Sequence, residues 1–461
     1  MLRPQMPLPK KLLNMRPATL VVLSFLAVIA SGTLLLMLPI STQTRSIPLI
    51  DALFTATSAV CVTGLTVVDP GTYYTGFGQC VMLLLIQIGG LGLMTISVAL
   101  FRLLGRSIPF RHRMVMQDVF AHTPRDDIMK LVKHVLLFTV LTEFVGAIFL
   151  TIRWHGEFSF LRAVYLSVFH SVSAFCNAGF SLFSDNLMQY SGDFIVNVSI
   201  CGLIVVGGIG FPVLHDVYLQ VRKRKGKRGR LSVQTKTVLL TTSCLIVGGT
   251  LIIAFLERHS LAANPSIAHR VWAPVFQSIT CRTAGFNTVD ISALGDAALA
   301  VMILLMFIGA SPGSTGGGVK TTTLALVSAF TFSRVTKRLR VNLFKKSVPD
   351  EAVARAISLV LLSLAVIGVV LFMVLIGEAA SGGGSPNSNR SFLAALFETV
   401  SAFGTVGLSM GVTPALSTWS KAWIIVMMIV GRVGILTFSY IVIGAGAPKG
   451  LEYAEESVMV G

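Results

Sequence analysis

Four stretches of this chain share one layout, and together they restrict what it can fold into. SAVCVTGLT (58–66), SAFCNAGFS (173–181), ITCRTAGFN (279–287) and SAFGTVGLS (401–409) align without gaps on a single glycine: Gly64, Gly179, Gly285 and Gly407. Each completes a short apolar segment of about 11–16 residues, namely 50–60, 160–175, 267–280 and 390–403. At about 1.5 Å per residue, such a helix covers roughly half of a hydrocarbon layer about 30 Å thick. Each is therefore expected to enter a bilayer and turn back at its glycine.

Composition requires the bilayer. The hydrophobic fraction is 54% and only 12% of residues are charged, whereas soluble domains carry about a quarter. Runs such as ATLVVLSFLAVIASGTLLLMLPI (18–40) and VLLTTSCLIVGGTLIIAFL (238–256) are long enough to span. The first lacks a small-residue cleavage site, so it reads as a span rather than a signal peptide. The net charge is +17, and most of the cations cluster at the N-terminus (Arg3, Lys10, Lys11, Arg16), in Arg102–Lys133, in RKRKGKRGR (222–230) and in Arg334–Lys346. Short basic loops between apolar spans belong on the cytoplasmic side, beside anionic lipid or an acidic cytosolic partner. They lack the interleaved aromatics of a single-strand nucleic-acid binder, so no nucleic-acid partner is expected. The six cysteines form no CxxC pair, which argues against both a transition-metal site and a disulfide framework.

Each short segment lies between two longer apolar ones. The resulting unit of span, re-entrant helix and span occurs at 16–104, 131–220, 235–333 and 351–447. Residues 105–130, 221–234 and 334–350 are the expected cytoplasmic loops, and 1–15 and 448–461 the cytoplasmic termini. A second marker runs in register through the later span of each unit: IGGLGLMT (88–95), VGGIGFPV (206–213), IGASPGST (308–315) and VGRVGILT (430–437). The expected fold is an all-α integral membrane protein with eight transmembrane and four pore helices, in pseudo-fourfold arrangement around one central pore.

Irregular backbone is excluded from contact with lipid, because each unpaired amide or carbonyl there costs several kcal/mol. Four such stretches become tolerable when they converge on a water-filled axis. Val62, Thr63, Gly64 and Leu65 then meet Asn177, Ala178, Gly179 and Phe180, with Thr283, Ala284, Gly285 and Phe286, and with Thr405, Val406, Gly407 and Leu408. Glycine permits positive φ and lets successive carbonyls point one way. Rings of carbonyl oxygen replace the hydration shell of a monovalent cation, and hard oxygen donors suit K⁺ or Na⁺. The C-terminal end of each short helix would aim its partial negative charge at the ion. Asp69, Asp185 and Asp290 follow the first three glycines and are expected at the outer mouth, concentrating cations.

The third unit departs from the others. Gly309, Ala310, Ser311, Pro312, Gly313, Ser314, Thr315, Gly316, Gly317 and Gly318 cannot sustain a helix interior. This stretch reads as an unwound loop at membrane depth, tolerable where it lines a cavity, and as a gate below the glycines. GSTGGGVKT (313–321) has the look of a phosphate-binding loop, but Val319 separates glycine from lysine and the context is a transmembrane helix. Arg432 stands where other units have Gly90, Gly208 and Ala310. A mid-span arginine costs about 3 kcal/mol on insertion scales, so it is expected to meet the loop carbonyls or a carboxylate such as Glu398. Arg282 is a second unusual cation, set to anchor its turn from behind. Glu143 is a buried acid with no partner evident from sequence. Asp, Glu and His are otherwise dispersed, without the convergent acid/base set an enzyme needs.

Four such units, GASPGSTGGGVKTTT in the third and VGRVGILTF in the fourth, resemble the Trk/Ktr/HKT superfamily of potassium transporters, most closely its bacterial Ktr branch. The likeness covers about residues 16–447. It implies K⁺ as the transported ion, a filter with a single row of glycines, and a gate formed by 309–318 with Arg432. It also implies a homodimer in the bacterial plasma membrane and a cytosolic RCK-type ring (KtrA-like) that carries the ATP or ADP site. No organic cofactor is implied for this chain, and Na⁺ is implied as an activator. A Na⁺-permeable or poorly selective monovalent cation transporter of the same fold is the alternative.

Overall fold

A computed structural model of the chain describes residues 17–43, 46–92, 128–222, 231–263, 266–338, 340–381 and 391–435. The expected N-terminal segment 1–15, nearly all of the loop 105–130, most of the basic loop 221–234 and the C-terminal segment 448–461 lie outside them.

The described chain is mostly helical. Four short helices match the four half-length segments: α2 (Leu49–Val60), α5 (Phe160–Phe175), α9 (Ile267–Thr280) and α13 (Ser391–Gly404). Before each lies a longer helix, in order α1 (Pro17–Leu36), α4 (Ile128–Trp154), α8 (Val233–Leu256) and α12 (Asp350–Ala380). After each come α3 (Gly76–Leu91), α6 (Phe194–Ile209) with α7 (Phe211–Arg222), α10 (Asp296–Phe307) with α11 (Thr321–Val335), and α14 (Thr418–Val433). Hydroxyl and carboxylate caps fix the entries. Asp193 accepts from the Val196 amide, Ser232 from Thr235 and Ser417 from Ser420, each satisfying a donor the first turn leaves orphaned. All-α needs one small amendment: the basic segment after α11 forms a two-stranded antiparallel ribbon, Asn342–Leu343 with Lys346–Ser347.

The later spans are not the continuous helices expected. α3, α6 and α14 each stop at a glycine with positive φ, Gly92 (79°), Gly210 (98°) and Gly434 (92°). These are the last glycines of the GGLG, GGIG and GRVG markers, and α7 leaves α6 at 95°. Among the described residues, three helices alone are long and apolar enough to cross a bilayer, or four counting the bent pair. The first glycine of the marker has a separate use. A Cβ at Gly89, Gly207 or Gly431 would lie 2.0 Å from the carbonyl oxygen of Val60, Phe175 or Phe403. The bare Cα thus lets each later helix touch the end of its own short helix.

Two apolar clusters hold the assembly. One packs α1–α6 around Met82, Trp154, Phe169 and Phe175. The other packs α8, α10 and α12–α14 around Met302, Phe397 and Met427. The four glycine motifs meet between them.

Candidate functional site

The glycines close a ring. A Cβ on Gly64 would lie 2.4 Å from the carbonyl oxygen of Ala178, one on Gly179 2.7 Å from that of Ala284, one on Gly285 2.3 Å from that of Val406, and one on Gly407 2.1 Å from that of Thr63. Each motif therefore touches the next in chain order and the last returns to the first. Only a residue without a side chain fits this spacing. φ is 92°, 68°, 78° and 93° at the four positions, a region that glycine enters freely.

Positive φ also occurs at non-glycine residues, mostly of types that do not favour it. Val62 (57°), Asn177 (61°), Thr283 (73°) and Thr405 (49°), each two places before its glycine, are left-handed as well. For β-branched residues this is a genuine outlier. Helix-end chemistry imposes it. In α2 the amide of Thr63 bonds the carbonyl of Ser58 at 2.8 Å and that of Val62 bonds Ala59 at 3.2 Å, which is a Schellman ending with a valine where glycine is usual. Ala178 to Ser173 (2.7 Å) and Val406 to Ser401 (2.8 Å) repeat it. The third motif uses Ala284 to Thr280 at 3.0 Å instead.

Side-chain hydroxyls lock these endings. Ser58 Oγ accepts from the Gly64 amide at 3.0 Å, and Ser401 Oγ from the Gly407 amide at 3.1 Å. Ser173 Oγ donates to the Phe180 carbonyl at 2.8 Å, and Thr280 Oγ1 to that of Phe286 at 2.6 Å. Sequence reasoning passed over these four residues. The signal was the serine opening SAV, SAF and SAF, with the threonine of ITC in the third motif.

On one side of the ring lies a cavity of about 500 Å³, lined by all four glycines, by Thr66, Ser181, Asn287 and Ser409, and by Asp69 and Asp185. Asp69 accepts from the amide of Gly71 at 2.9 Å and from Ser184 Oγ at 2.6 Å. Asp290, expected here, faces elsewhere. It accepts from Ser292 to cap the turn Ile291–Ala293 and lines a different cavity with Glu257 and Gln277.

On the other side runs the glycine-rich stretch between α10 and α11, non-helical throughout 308–320. It presses against the threonines. A Cβ on Gly316 would fall 2.1 Å from Thr283 Oγ1 and one on Gly317 2.5 Å from Thr405 Oγ1, and the Gly317 amide donates to that Thr405 hydroxyl at 3.0 Å. Backbone bonds tie the stretch to α6 and α7: Ser311 to the Gly208 carbonyl at 3.0 Å, and Phe211 to the Gly313 carbonyl at 3.0 Å. Arg432 donates to two carbonyls, Thr315 in the stretch and Gly89 on α3. Lys320 folds its ammonium back on the carbonyls of Gly316 at 2.7 Å and Gly317 at 3.4 Å. That lysine is therefore engaged by its own loop, and a helix rather than a strand precedes it.

The remaining ionisable groups find separate partners. Glu398 accepts from Ser409 and Thr413, not from Arg432. Arg282 reaches Thr242 on α8 at 3.5 Å, behind the ring. Glu143 accepts from Gln87 at 3.0 Å, a pairing of α4 with α3 that spacing does not reveal. Among the described residues, no group of three His, Cys, Asp or Glu is placed to hold a metal.

Comparison with known proteins gives a consistent result. The TrkH family model, described as a cation transport protein, matches residues 9–446. The chain is 40% identical over 436 residues to Ktr system potassium uptake protein B of Bacillus subtilis, covering 93% of this chain and 94% of that one. It is 37% identical over 444 residues to the Vibrio alginolyticus protein of the same name, covering 96% and 94%. Potassium/sodium uptake protein NtpJ of Enterococcus hirae is 35% identical over 452 residues, covering 97% and 98%. The crystal structure of the potassium transporter TrkH from Vibrio parahaemolyticus superposes with a TM-score of 0.69 at 18% identity, covering 94% of this chain and 86% of that one.

Proposed function

The chain belongs to the TrkH family of cation transport proteins, and from that premise we propose that it is the K⁺-conducting membrane subunit of a potassium uptake system. The closed ring of four glycines carries this reading, because each glycine lies against a backbone carbonyl of the next motif. Carbonyls of Thr63, Ala178, Ala284 and Val406, with those of their neighbours, replace the water of a dehydrating K⁺. Transfer is driven by the electrochemical gradient and involves no covalent step. The helix ends at Val60, Phe175, Thr280 and Gly404 direct their carbonyl dipoles toward the ion, and Asp69 and Asp185 enrich cations in the outer cavity.

The gate is the stretch 309–318 with Arg432. Its contacts with Thr283 and Thr405 lie directly beneath the ring, and the guanidinium ties it to α3. A fixed positive charge there repels K⁺ from an otherwise closed path. The four units stand in pseudo-fourfold order around one pore, with both termini on the cytoplasmic face of a bacterial plasma membrane. Similarity to two Ktr system B proteins supports a homodimer working with a cytosolic RCK-type ring that binds ATP or ADP. Similarity to a potassium/sodium uptake protein supports Na⁺ as an activator and also favours the second reading, a Na⁺-permeable transporter.

Uptake of Rb⁺ into liposomes holding the purified chain, competed by K⁺, Na⁺ and Li⁺, separates the two. Block by K⁺ with little block by Na⁺ is expected. Equal block by both ions would establish the Na⁺-permeable reading instead. No uptake even after shortening of 309–318 would sink both.

A further inference from the structure

His170 and Glu398 hold the same place in two different units. Each stands nine residues before its glycine, Gly179 or Gly407, and each reaches the serine two places after it, Ser181 or Ser409. His170 Nε2 lies 3.0 Å from Ser181 Oγ, and Glu398 Oε1 accepts from Ser409 Oγ. Both side chains are buried, at 0% and 1% exposure, on the short helices α5 and α13.

The surroundings fix the direction of these bonds. His170 Nδ1 lies 2.8 Å from the Leu166 carbonyl, which can only accept, so Nδ1 carries the hydrogen. Nε2 is then bare, as the Leu182 amide that donates to it at 3.4 Å also requires. Ser181 must therefore give its hydrogen to the imidazole. In the fourth unit one carboxylate oxygen takes the Ser409 hydrogen and the other takes that of Thr413 at 2.9 Å. The two hydroxyls also lie 3.1 Å apart, but each has a carboxylate oxygen nearer. Each serine oxygen further accepts one amide, Ser181 from Phe183 at 3.0 Å and Ser409 from Gly411 at 2.9 Å. A hydroxyl oxygen has two lone pairs. Each serine thus keeps one lone pair free and has no hydrogen left to offer.

Ser181 and Ser409 both line the outer cavity together with the four glycines. Their units, second and fourth, are opposite in a ring that closes in chain order. The equivalent of His170 in the first unit is Thr55, whose hydroxyl donates instead to the Asp51 carbonyl at 2.9 Å, and in the third it is Phe276, which offers no acceptor. We propose that Ser181 and Ser409 form an outer cation subsite beside the glycine ring, with His170 and Glu398 as positioning residues that draw both hydroxyl hydrogens away from the ion. A hard, hydrogen-free oxygen on each side suits a monovalent cation shedding its first waters. The proposal rests on the ion-conduction reading only in placing a cation at the ring.

Equilibrium binding of Rb⁺ to the full chain in detergent, followed by titration calorimetry, tests this without ion flux. Ser181→Ala and Ser409→Ala should each weaken binding about fivefold, the weight of one lost polar contact. His170→Phe keeps a ring against Phe183 and Trp154, which lie 4.9 and 5.1 Å from the imidazole, but cannot accept a hydrogen. It should match Ser181→Ala. Glu398→Leu should match Ser409→Ala, and Glu398→Gln, which keeps an acceptor oxygen, should restore most of the affinity. A positioning residue acts through its serine, so His170→Phe/Ser181→Ala should bind no more weakly than Ser181→Ala alone. Should Glu398→Leu fail to fold, the His170 and Ser181 pair decides the question. Unchanged binding in both serine variants, or no Rb⁺ binding by wild type, would overturn the subsite. Losses in the serine variants that His170→Phe does not share, or that add to its own, would overturn the positioning role. Weakened binding in the serine variants alongside no Rb⁺ uptake in liposomes would count against the transport reading and leave the subsite standing.

Discussion

Lys421 and Asp51 meet at 2.8 Å across 370 residues of sequence. The pair joins α14, in the last unit, to α2, in the first, and closes by charge the circle that the glycines close by contact. Both side chains are largely buried, at 11% and 17% exposure.

Removing one partner should cost more than removing both. Asp51→Asn or Lys421→Met leaves a mostly buried charge alone, and should destabilise by about 3 kcal/mol. The double variant Asp51→Leu/Lys421→Met should recover most of that loss. Unfolding in detergent micelles, followed through a double-mutant cycle, gives the answer. Additive losses would show that the two residues do not act as a pair.

Gly407→Ser should weaken discrimination of K⁺ over Na⁺. Its Cβ would fall 2.1 Å from the Thr63 carbonyl oxygen, pushing a ring carbonyl out of place at a φ of 93° that serine avoids. The permeability ratio from liposome uptake is the readout. An unchanged ratio would remove Gly407 from the ion path.

The hydroxyl of Ser401 should matter for the same ring. Ser401→Ala strands the Gly407 amide, at a cost of about 1–3 kcal/mol, while Ser401→Thr can retain the bond. Alanine should lower both thermal stability and K⁺ preference, with threonine restoring the latter. If alanine lowers stability alone, the hydroxyl serves the fold and not the ring.

Arg432→Gln should raise Rb⁺ uptake by the chain alone, without any cytosolic partner. It loses charge-assisted bonds to Thr315 and Gly89, and hydrogen bonds to charged groups are worth about 1.5–3 kcal/mol each, so about a tenfold shift toward the open path is a modest expectation. Deleting residues 313–317 should act in the same direction. Uptake that stays at the wild-type level in both variants would place the barrier elsewhere.

Much of this was legible in residue order, for physical reasons. An apolar helix half as long as a bilayer is thick cannot span it, and a glycine after it at fixed spacing, four times over, marks one structural role. The intramembrane loop was likewise readable, since five glycines and a proline in ten residues cannot remain helical. Arg432 was readable as engaged, because a lone mid-span cation is too costly to leave unpaired.

Tertiary structure decided the rest, because it depends on which surfaces meet. Local propensity disfavours left-handed φ at Val62, Thr283 and Thr405; Schellman endings impose it at Val62 and Thr405, and the Ala284–Thr280 bond with the Thr280 hydroxyl bond to Phe286 accompanies it at Thr283. The glycines of the second marker were legible only as a repeat in register along spans expected to be continuous, yet Gly210 turns α7 by 95° and brings Phe211 to the loop. Asp290 follows its glycine at the same distance as Asp69 does but caps a turn facing another cavity. Gln87 with Glu143, and Lys421 with Asp51, pair across helices whose neighbours no local pattern specifies. Sequence by itself determined the units and the chemistry each can offer; packing alone determined which carbonyl, hydroxyl or charge each one meets.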